Sequence, residues 1–340
     1  MKQITQIKNA AILFLTLLAL NALAEKDIVE KHGMLRVYGN HVVDKNNQQI
    51  SLFGNSMYSS NSNWEGQKYY NEEVIQWLKK DFKTTIIRVA LGVEESSGYI
   101  DDPVGNMARV KKVIEASIAN GLYVLIDFHS FKAEDYTSQA VAFFTEMARC
   151  YGIHNNVMYE IYNEPLKISW SQVVKPYAET VISAIRASDP DNLIIVGSPY
   201  WSQKVVDAAN DPIKDKNIAY TLHFYAGTHG QSLRDDAALA MQKGIALFVT
   251  EWGTCDSSGD GGFNPAATEE WLKFCKANML SMCNWTVNDK AQTVSIIKPG
   301  SNPKGGWTVA DYTQSGKFVR EKMRNWKVTG YTTKQNRNNY

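Results

Sequence analysis

Eight short apolar runs recur along the chain, at Ile50–Phe53, Thr85–Val89, Tyr123–Phe128, Val157–Tyr162, Leu193–Val196, Ile218–Phe224, Ala246–Thr250 and Leu280–Trp285. Their length and their β-branched and aromatic content suit buried strands. Several of the stretches between them carry apolar residues four apart: Val110, Ile114 and Ile118, then Phe143, Met147 and Tyr151, then Tyr177, Val181 and Ile185. That interval puts each trio on one helical face, as packing against a sheet requires. Eight strands, each followed by a helix or a long loop, predict an α/β fold of the parallel (β/α)₈ TIM-barrel kind. An open doubly wound sheet is the competing arrangement, but no glycine-rich phosphate loop follows the first strand. Ahead of the barrel, Gly33–Tyr38 and His41–Asp44 read as a short N-terminal β-hairpin. Near the end, Phe318, Val319 and Met323 supply the inner face of a last helix.

A barrel of ~250 residues or somewhat more absorbs most of the 340 residues. Residues 1–24 are set aside as a signal peptide: Lys2 and Lys8 precede the apolar run Ala10–Leu20, and Ala22-Leu23-Ala24 resembles a cleavage site. The run is short for a bilayer span. The expectation is therefore a secreted, soluble, monomeric protein with one catalytic unit at 25–326, no second domain or linker, and a polar tail at 327–340, disordered or loosely docked. The 36 basic residues less the leader's two lysines leave 34 against 35 acidic ones. So even a balance predicts neither nucleic acid nor an anionic membrane as partner. Cys150, Cys255, Cys275 and Cys283 allow three disulfide pairings in an exported protein, or free buried thiols, and lack zinc-site spacing.

Two of the runs end alike. Met158–Tyr162 runs into Asn163-Glu164-Pro165, and Ala246–Thr250 into Glu251-Trp252-Gly253. A buried strand leading into a carboxylate makes energetic sense where that group is hydrogen-bonded or functional. Alone, Glu164 would read as a helix cap. The two glutamates lie 87 positions apart (251 − 164) and become neighbours only in a fold that gathers strand ends. Paired carboxylates at such a place are the apparatus of glycoside hydrolysis. The other strand ends carry Arg88, His129, His223, Tyr225 and Trp285. Each has a structural alternative, as an ion pair, a satisfied core histidine or core packing. A barrel mouth without function has no reason to desolvate all of them.

Arg88, Phe128-His129-Ser130, Tyr162-Asn163-Glu164-Pro165, Leu222-His223-Phe224-Tyr225, Phe248-Val249-Thr250-Glu251-Trp252-Gly253 and Asn284-Trp285 resemble glycoside hydrolase family 5. The nearest likeness is to its secreted β-1,4-endoglucanases, of bacterial and plant-parasitic nematode type. It extends from about Gly33 to Trp326. The resemblance implies that Glu164 is the acid/base and Glu251 the nucleophile, and that Asn163 contacts a sugar 2-hydroxyl. It further implies that Arg88 and Tyr225 hold Glu251 ionised, that His129 and His223 support the site, and that Trp285 carries the sugar ring. Trp64 and Trp201 resemble further sugar platforms, and Lys290 a substrate contact. No metal and no organic cofactor is implied; the partner is a β-1,4-glucan.

Two departures from the family pattern lie near the distal glycone side. Met57-Tyr58-Ser59-Ser60 stands where relatives have Leu-Phe-Trp-Ser, and Gln292 where close relatives have glutamate two residues after the lysine. They bear on subsite affinity rather than chemistry. Asn284-Trp285-Thr286 matches a glycosylation sequon, but at a strand end where no glycan is expected. Xylanase, mannanase or xyloglucanase activity competes with glucanase within the enzyme class. A non-catalytic carbohydrate-binding protein competes from outside it.

Overall fold

A computed structural model describes residues 27–330; the leader reading, 1–24, and residues 331–340 of the tail lie outside them. Helix α1 (Ile28–His32) and the hairpin β1 (Arg36–Tyr38)–β2 (His41–Val43) come first. Then follow β3 (Phe53–Met57), α2 (Glu72–Trp77), β4 (Ile86–Gly92), α3 (Pro103–Ala119), β5 (Tyr123–His129), α4 (Thr137–Tyr151), β6 (Val157–Glu160) and α5 (Lys175–Arg186). The second half runs β7 (Ile194–Val196), α6 (Val205–Asn210), β8 (Ile218–Tyr225), α7 (Gln231–Gln242), β9 (Leu247–Gly253), α8 (Pro265–Ala277), β10 (Met282–Val287) and α9 (Gln314–Arg324). Strands β3 to β10 are all parallel and close into a barrel, β10 pairing with β3. The expected (β/α)₈ barrel with its N-terminal hairpin is the observed fold.

Period-two alternation sorts the strand residues. On β5, Val124, Ile126 and Phe128 face outward into the helix layer, beside Phe143, Phe144 and Met147 of α4. Tyr123 and Leu125 face inward. The inward floor also takes Leu52, Ile86, Met158, Ile195, Ala219, Phe248 and Cys283, and Leu35 and Val42 of the hairpin region cap it from below. The tail begins docked: Val328 packs on this floor and its carbonyl accepts a hydrogen bond from the Ser51 amide at 2.8 Å.

The first barrel strand is shifted from its predicted place. Ile50 and Leu52 belong to the floor, and the ladder starts at Phe53 and runs through Gly54-Asn55-Ser56. Those small and polar residues lack an apolar signature, yet Gly54 is required: a Cβ there would lie 1.8 Å from the Ile86 carbonyl oxygen. All four cysteines are free, Cys255, Cys275 and Cys283 being buried. Asn284 is buried too, its amide donating to the Trp252 carbonyl at 3.2 Å, so the sequon is shielded.

Candidate active site

At the carboxyl ends of the strands lies a cleft of about 600 Å³. Of the predicted site residues, Trp64, His129, Asn163, Glu164, Trp201, His223, Tyr225, Glu251 and Trp285 line it. Arg88 lies beneath, fully buried. Lys290 faces a neighbouring hollow with Asn63 and Glu65. From there its ammonium reaches back to the Tyr58 hydroxyl at 3.1 Å and sits over the Tyr58 and Trp64 rings. Trp64, Tyr58 and Lys290 stand over β3 and β10, and Trp201 follows β7, which is opposite β3 in the barrel order. The cleft therefore crosses the mouth, flanked by aromatic rings at each end.

Arg88 organises the centre. Its guanidinium is within 2.9 Å of Asp127, donates to Glu160 at 2.7 Å, to Glu251 at 2.9 Å and to Asn163 Oδ1 at 2.7 Å. The last bond orients the Asn163 amide. Its Nδ2 is buried with no protein partner, leaving a donor for a bound hydroxyl.

Glu251 owes its direction to a bulge. Simple alternation from Phe248, an inward residue, would turn Thr250 in and Glu251 out. The ladder slips instead: Thr221 pairs with Phe248 but His223 pairs with Glu251, and β10 slips against β9 over the same stretch. One extra residue lets Thr250 and Glu251 both face the interior, a common use of bulges near active sites. Glu251 then accepts from Tyr225 Oη at 2.6 Å as well as from Arg88. Burial acts to raise its carboxyl, but His223, Arg88, His129 and the Tyr225 hydroxyl together hold it below the usual carboxylate range.

Glu164 is the opposite case. Burial pushes its carboxyl upward, His223 and His129 oppose, and Glu251 adds to the rise, leaving it above the ordinary value. Glu164 Oε1 lies 2.8 Å from His223 Nδ1. Carboxylate oxygens of Glu164 and Glu251 and a His223 ring nitrogen all fall within 4.8 Å of one another. His223 is raised to about 9: burial opposes its charge, and Glu160, Glu164 and Glu251 outweigh it. One carboxyl biased to hold a proton faces one biased to lose it, across a gap that accommodates a glycosidic bond.

The walls are aromatic. Trp285 stacks on the His129 ring at 5.0 Å and packs against Tyr58 at 5.4 Å, which in turn meets Trp64 at 5.8 Å. Tyr58 thus restores some of the ring surface that Ser59 gives up. Across the cleft, Tyr200, Trp201 and Ser202 take φ of 57°, 56° and 56°, three left-handed residues in succession without a glycine. Each costs roughly 1–3 kcal/mol unless its surroundings impose it. Here the Tyr200 and Trp201 amides donate to the Leu166 and Pro165 carbonyls, both at 2.9 Å, and the Ser202 hydroxyl to the Asn163 carbonyl at 2.7 Å. The ring platform and the Asn163-Glu164-Pro165 turn are clamped together.

Sequence reasoning missed Asp127, Glu160, Thr250 and the cleft wall at Tyr58. A signal existed for the acids: each stands at an inward position inside an otherwise apolar strand. Asp127 holds His129 Nδ1 at 2.9 Å, and burial first, then Glu160, push its carboxyl up to about 6 against Arg88 and His129.

Residues 43–291 match the family model described as cellulase (glycosyl hydrolase family 5). The chain is 54% identical to endoglucanase Z of Dickeya dadantii, over 81% of this chain and 63% of that one. It is 44% identical to endoglucanase A of Evansella cellulosilytica, over 79% and 55%. It thus spans roughly three fifths of the length of these relatives. Among solved structures, a Cytophaga hutchinsonii protein superposes with TM-score 0.86 at 49% identity, covering 88% of this chain and 97% of that one. The catalytic domain of a Thermobifida fusca endoglucanase bound to cellotetraose superposes with TM-score 0.83 at 30% identity, covering 88% and 100%. On the strength of the family match and these identities, the chain belongs to the cellulase family, glycosyl hydrolase family 5.

Proposed function

We propose that the protein is a retaining endo-β-1,4-glucanase that cleaves internal bonds of cellulose-like chains through a covalent glycosyl-enzyme. The observation that carries this reading is the facing pair Glu164 and Glu251, with oxygens within 4.8 Å and opposite proton bias. A separation of ~5–5.5 Å between carboxyl groups is that of double displacement, whereas inversion needs room for water between them.

In the first step Glu251 attacks the anomeric carbon as the glycosidic bond breaks, and the Glu164 proton passes to the departing sugar oxygen. Bonding removes the Glu251 charge, so Glu164 becomes a stronger acid and remains as a carboxylate. It then takes a proton from water, whose hydroxyl goes to the anomeric carbon and releases Glu251. Arg88 and Tyr225 stabilise Glu251 as an anion, Asn163 Nδ2 is free for the 2-hydroxyl, and Trp285, Trp64 and Trp201 offer faces to the C–H surfaces of equatorial sugars.

The cellotetraose complex of the Thermobifida relative supports a glucan over xylan or mannan. Among the described residues no helix is long and apolar enough to cross a membrane. The leader-like residues 1–24 support an exported enzyme whose catalytic unit is 25–326 and whose partner is the polysaccharide. Reducing-sugar release from carboxymethylcellulose, compared with xylan and mannan, tests the reading. Fastest turnover on the glucan is expected; folded protein that releases no sugar, or prefers mannan, overturns it.

A further inference from the structure

The bulge that aims Glu251 into the cleft leaves a second side chain inside the barrel. Thr250 is fully buried and does not line the cleft, so its hydroxyl has no part in meeting substrate. A buried hydroxyl needs partners, and this one has two. It donates to Glu160 Oε1 at 2.6 Å, and it lies 2.8 Å from His223 Nε2. The other ring nitrogen of His223, Nδ1, is 2.8 Å from Glu164 Oε1. A continuous line, Glu160–Thr250–His223–Glu164, thus connects a buried acid with the residue assigned to proton transfer.

The proton positions along that line follow from what each group can do. Glu160 is gripped by Arg88 through Nε at 2.7 Å and Nη2 at 3.3 Å. Burial acts against its charge, but Arg88 and His223 hold the carboxyl at about 2, so it is ionised and only accepts. The single proton of Thr250 therefore goes to Glu160. Thr250 Oγ1 can then only accept from His223, which keeps a proton on Nε2 whether the ring is neutral or charged. Nδ1 alone is left to change. A proton there donates to Glu164 Oε1, and the catalytic proton stays on Oε2. A bare Nδ1 would draw the Glu164 proton onto Oε1 and away from the leaving group.

We propose that Thr250 is a positioning residue for general acid catalysis: braced by Glu160, its hydroxyl locks His223 with Nε2 protonated and dedicates Nδ1 to Glu164. This rests on the assignment of Glu164 as acid/base. Several charged groups bear on the pair. Glu160 from β6, Thr250 and Glu251 from β9 and His229 beyond β8 face His223, with Arg88 of β4 behind Glu160. His129 of β5, Tyr225 of β8 and Glu251 face Glu164.

The test compares Thr250→Val, which keeps the shape, with Thr250→Ser, which keeps the hydroxyl. Without the hydroxyl, Nε2–H faces only Glu160 Oε1, at 3.7 Å and beyond hydrogen-bond reach, so the cationic ring is less favoured, the positive charge that opposes protonation of Glu164 weakens, and its carboxyl titrates higher. For Thr250→Val, kcat/KM on cellotetraose should fall by about tenfold, and its alkaline limb should move up by about half a pH unit or more. On an aryl cellobioside, whose leaving group needs no proton, the loss should shrink to about twofold. Thr250→Ser should recover the wild-type limb. Superimposable profiles for wild type and Thr250→Val, or a Thr250→Ser limb displaced as far, would overturn the proposal. Nitrogen-15 NMR of histidine-labelled wild type needs no turnover and no variant. As the ring loses its charge between about pH 8 and about pH 10, Nε2 of His223 should stay protonated while Nδ1 is bared, and a bare Nε2 in the neutral ring would overturn the proposal even if Thr250→Val fails to fold. A wild type inactive on cellotetraose with the Nε2-protonated ring would instead sink the functional reading and leave the lock standing.

Discussion

The barrel interior has two storeys built on the same strands. In the lower one Ile86, Leu125, Met158 and Phe248 meet as an apolar plug. Two residues further along each strand, on the same face, stand Arg88, Asp127, Glu160 and Thr250, all fully buried and joined by ion pairs and hydrogen bonds. Both storeys are buried, and period-two geometry delivers both. Their difference teaches that burial by itself serves either purpose. The floor gains stability from removing hydrocarbon from water, while the upper storey gives some of that up to hold charges where water cannot screen them.

Each storey is open to a test that should leave the other in place. The largest effect belongs to the mouth. Glu251→Gln should lower kcat on cellotetraose on the order of 10⁴-fold or more. Binding of the sugar by calorimetry should survive, because the amide keeps the shape of the site. Wild-type turnover would remove Glu251 from the mechanism. Between the storeys, Arg88→Met leaves Asp127, Glu160 and Glu251 facing one another without a cation. Removing one partner of a buried ionic cluster costs about 3–5 kcal/mol, so denaturant unfolding should show that loss together with loss of activity. A variant as stable as wild type would mean the carboxyls simply take up protons. In the floor, Leu125→Ala should cost about 2–5 kcal/mol while the kcat of the folded fraction stays near wild type. A large fall in kcat at full folding would erase the division.

The smallest effects are in pH. The proposed mechanism requires Glu251 ionised and Glu164 protonated, so activity should fall in acid only below the usual carboxylate range and in alkali above the ordinary value of Glu164. Stability carries its own signature. His223 is raised to about 9, so the stabilisation its charge provides is fully present below its ordinary value near 6.5. That stabilisation is lost as pH rises through about 9. The difference in Tm between wild type and His223→Asn should narrow over that window; a gap that widens would reverse the sign.

Much of the upper storey was legible because chemistry there leaves uncommon residues at strand ends. Arg88, His129, Glu164, His223 and Glu251 each interrupt an apolar run, and nine of the eleven expected side chains line one cleft. Other features left no local trace. The β9 bulge is a property of pairing with β8 and β10, so a strict alternation read from Phe248 would send Glu251 outward. Strand β3 contains Gly54, Asn55 and Ser56: Gly54 is set by the close approach of the Ile86 backbone, and the other two pair with Ile87 and Arg88 in the ladder. Left-handed backbone at Tyr200–Ser202 is imposed by hydrogen bonds to the Glu164 turn, in residues that do not advertise it.

The central claim is that Glu164 and Glu251 act as a close pair in double displacement. The anomer formed first from cellotetraose, followed by proton NMR before mutarotation, tests it most directly. The account predicts the β-anomer at the new reducing end; an initial α-anomer would mean inversion and contradict it.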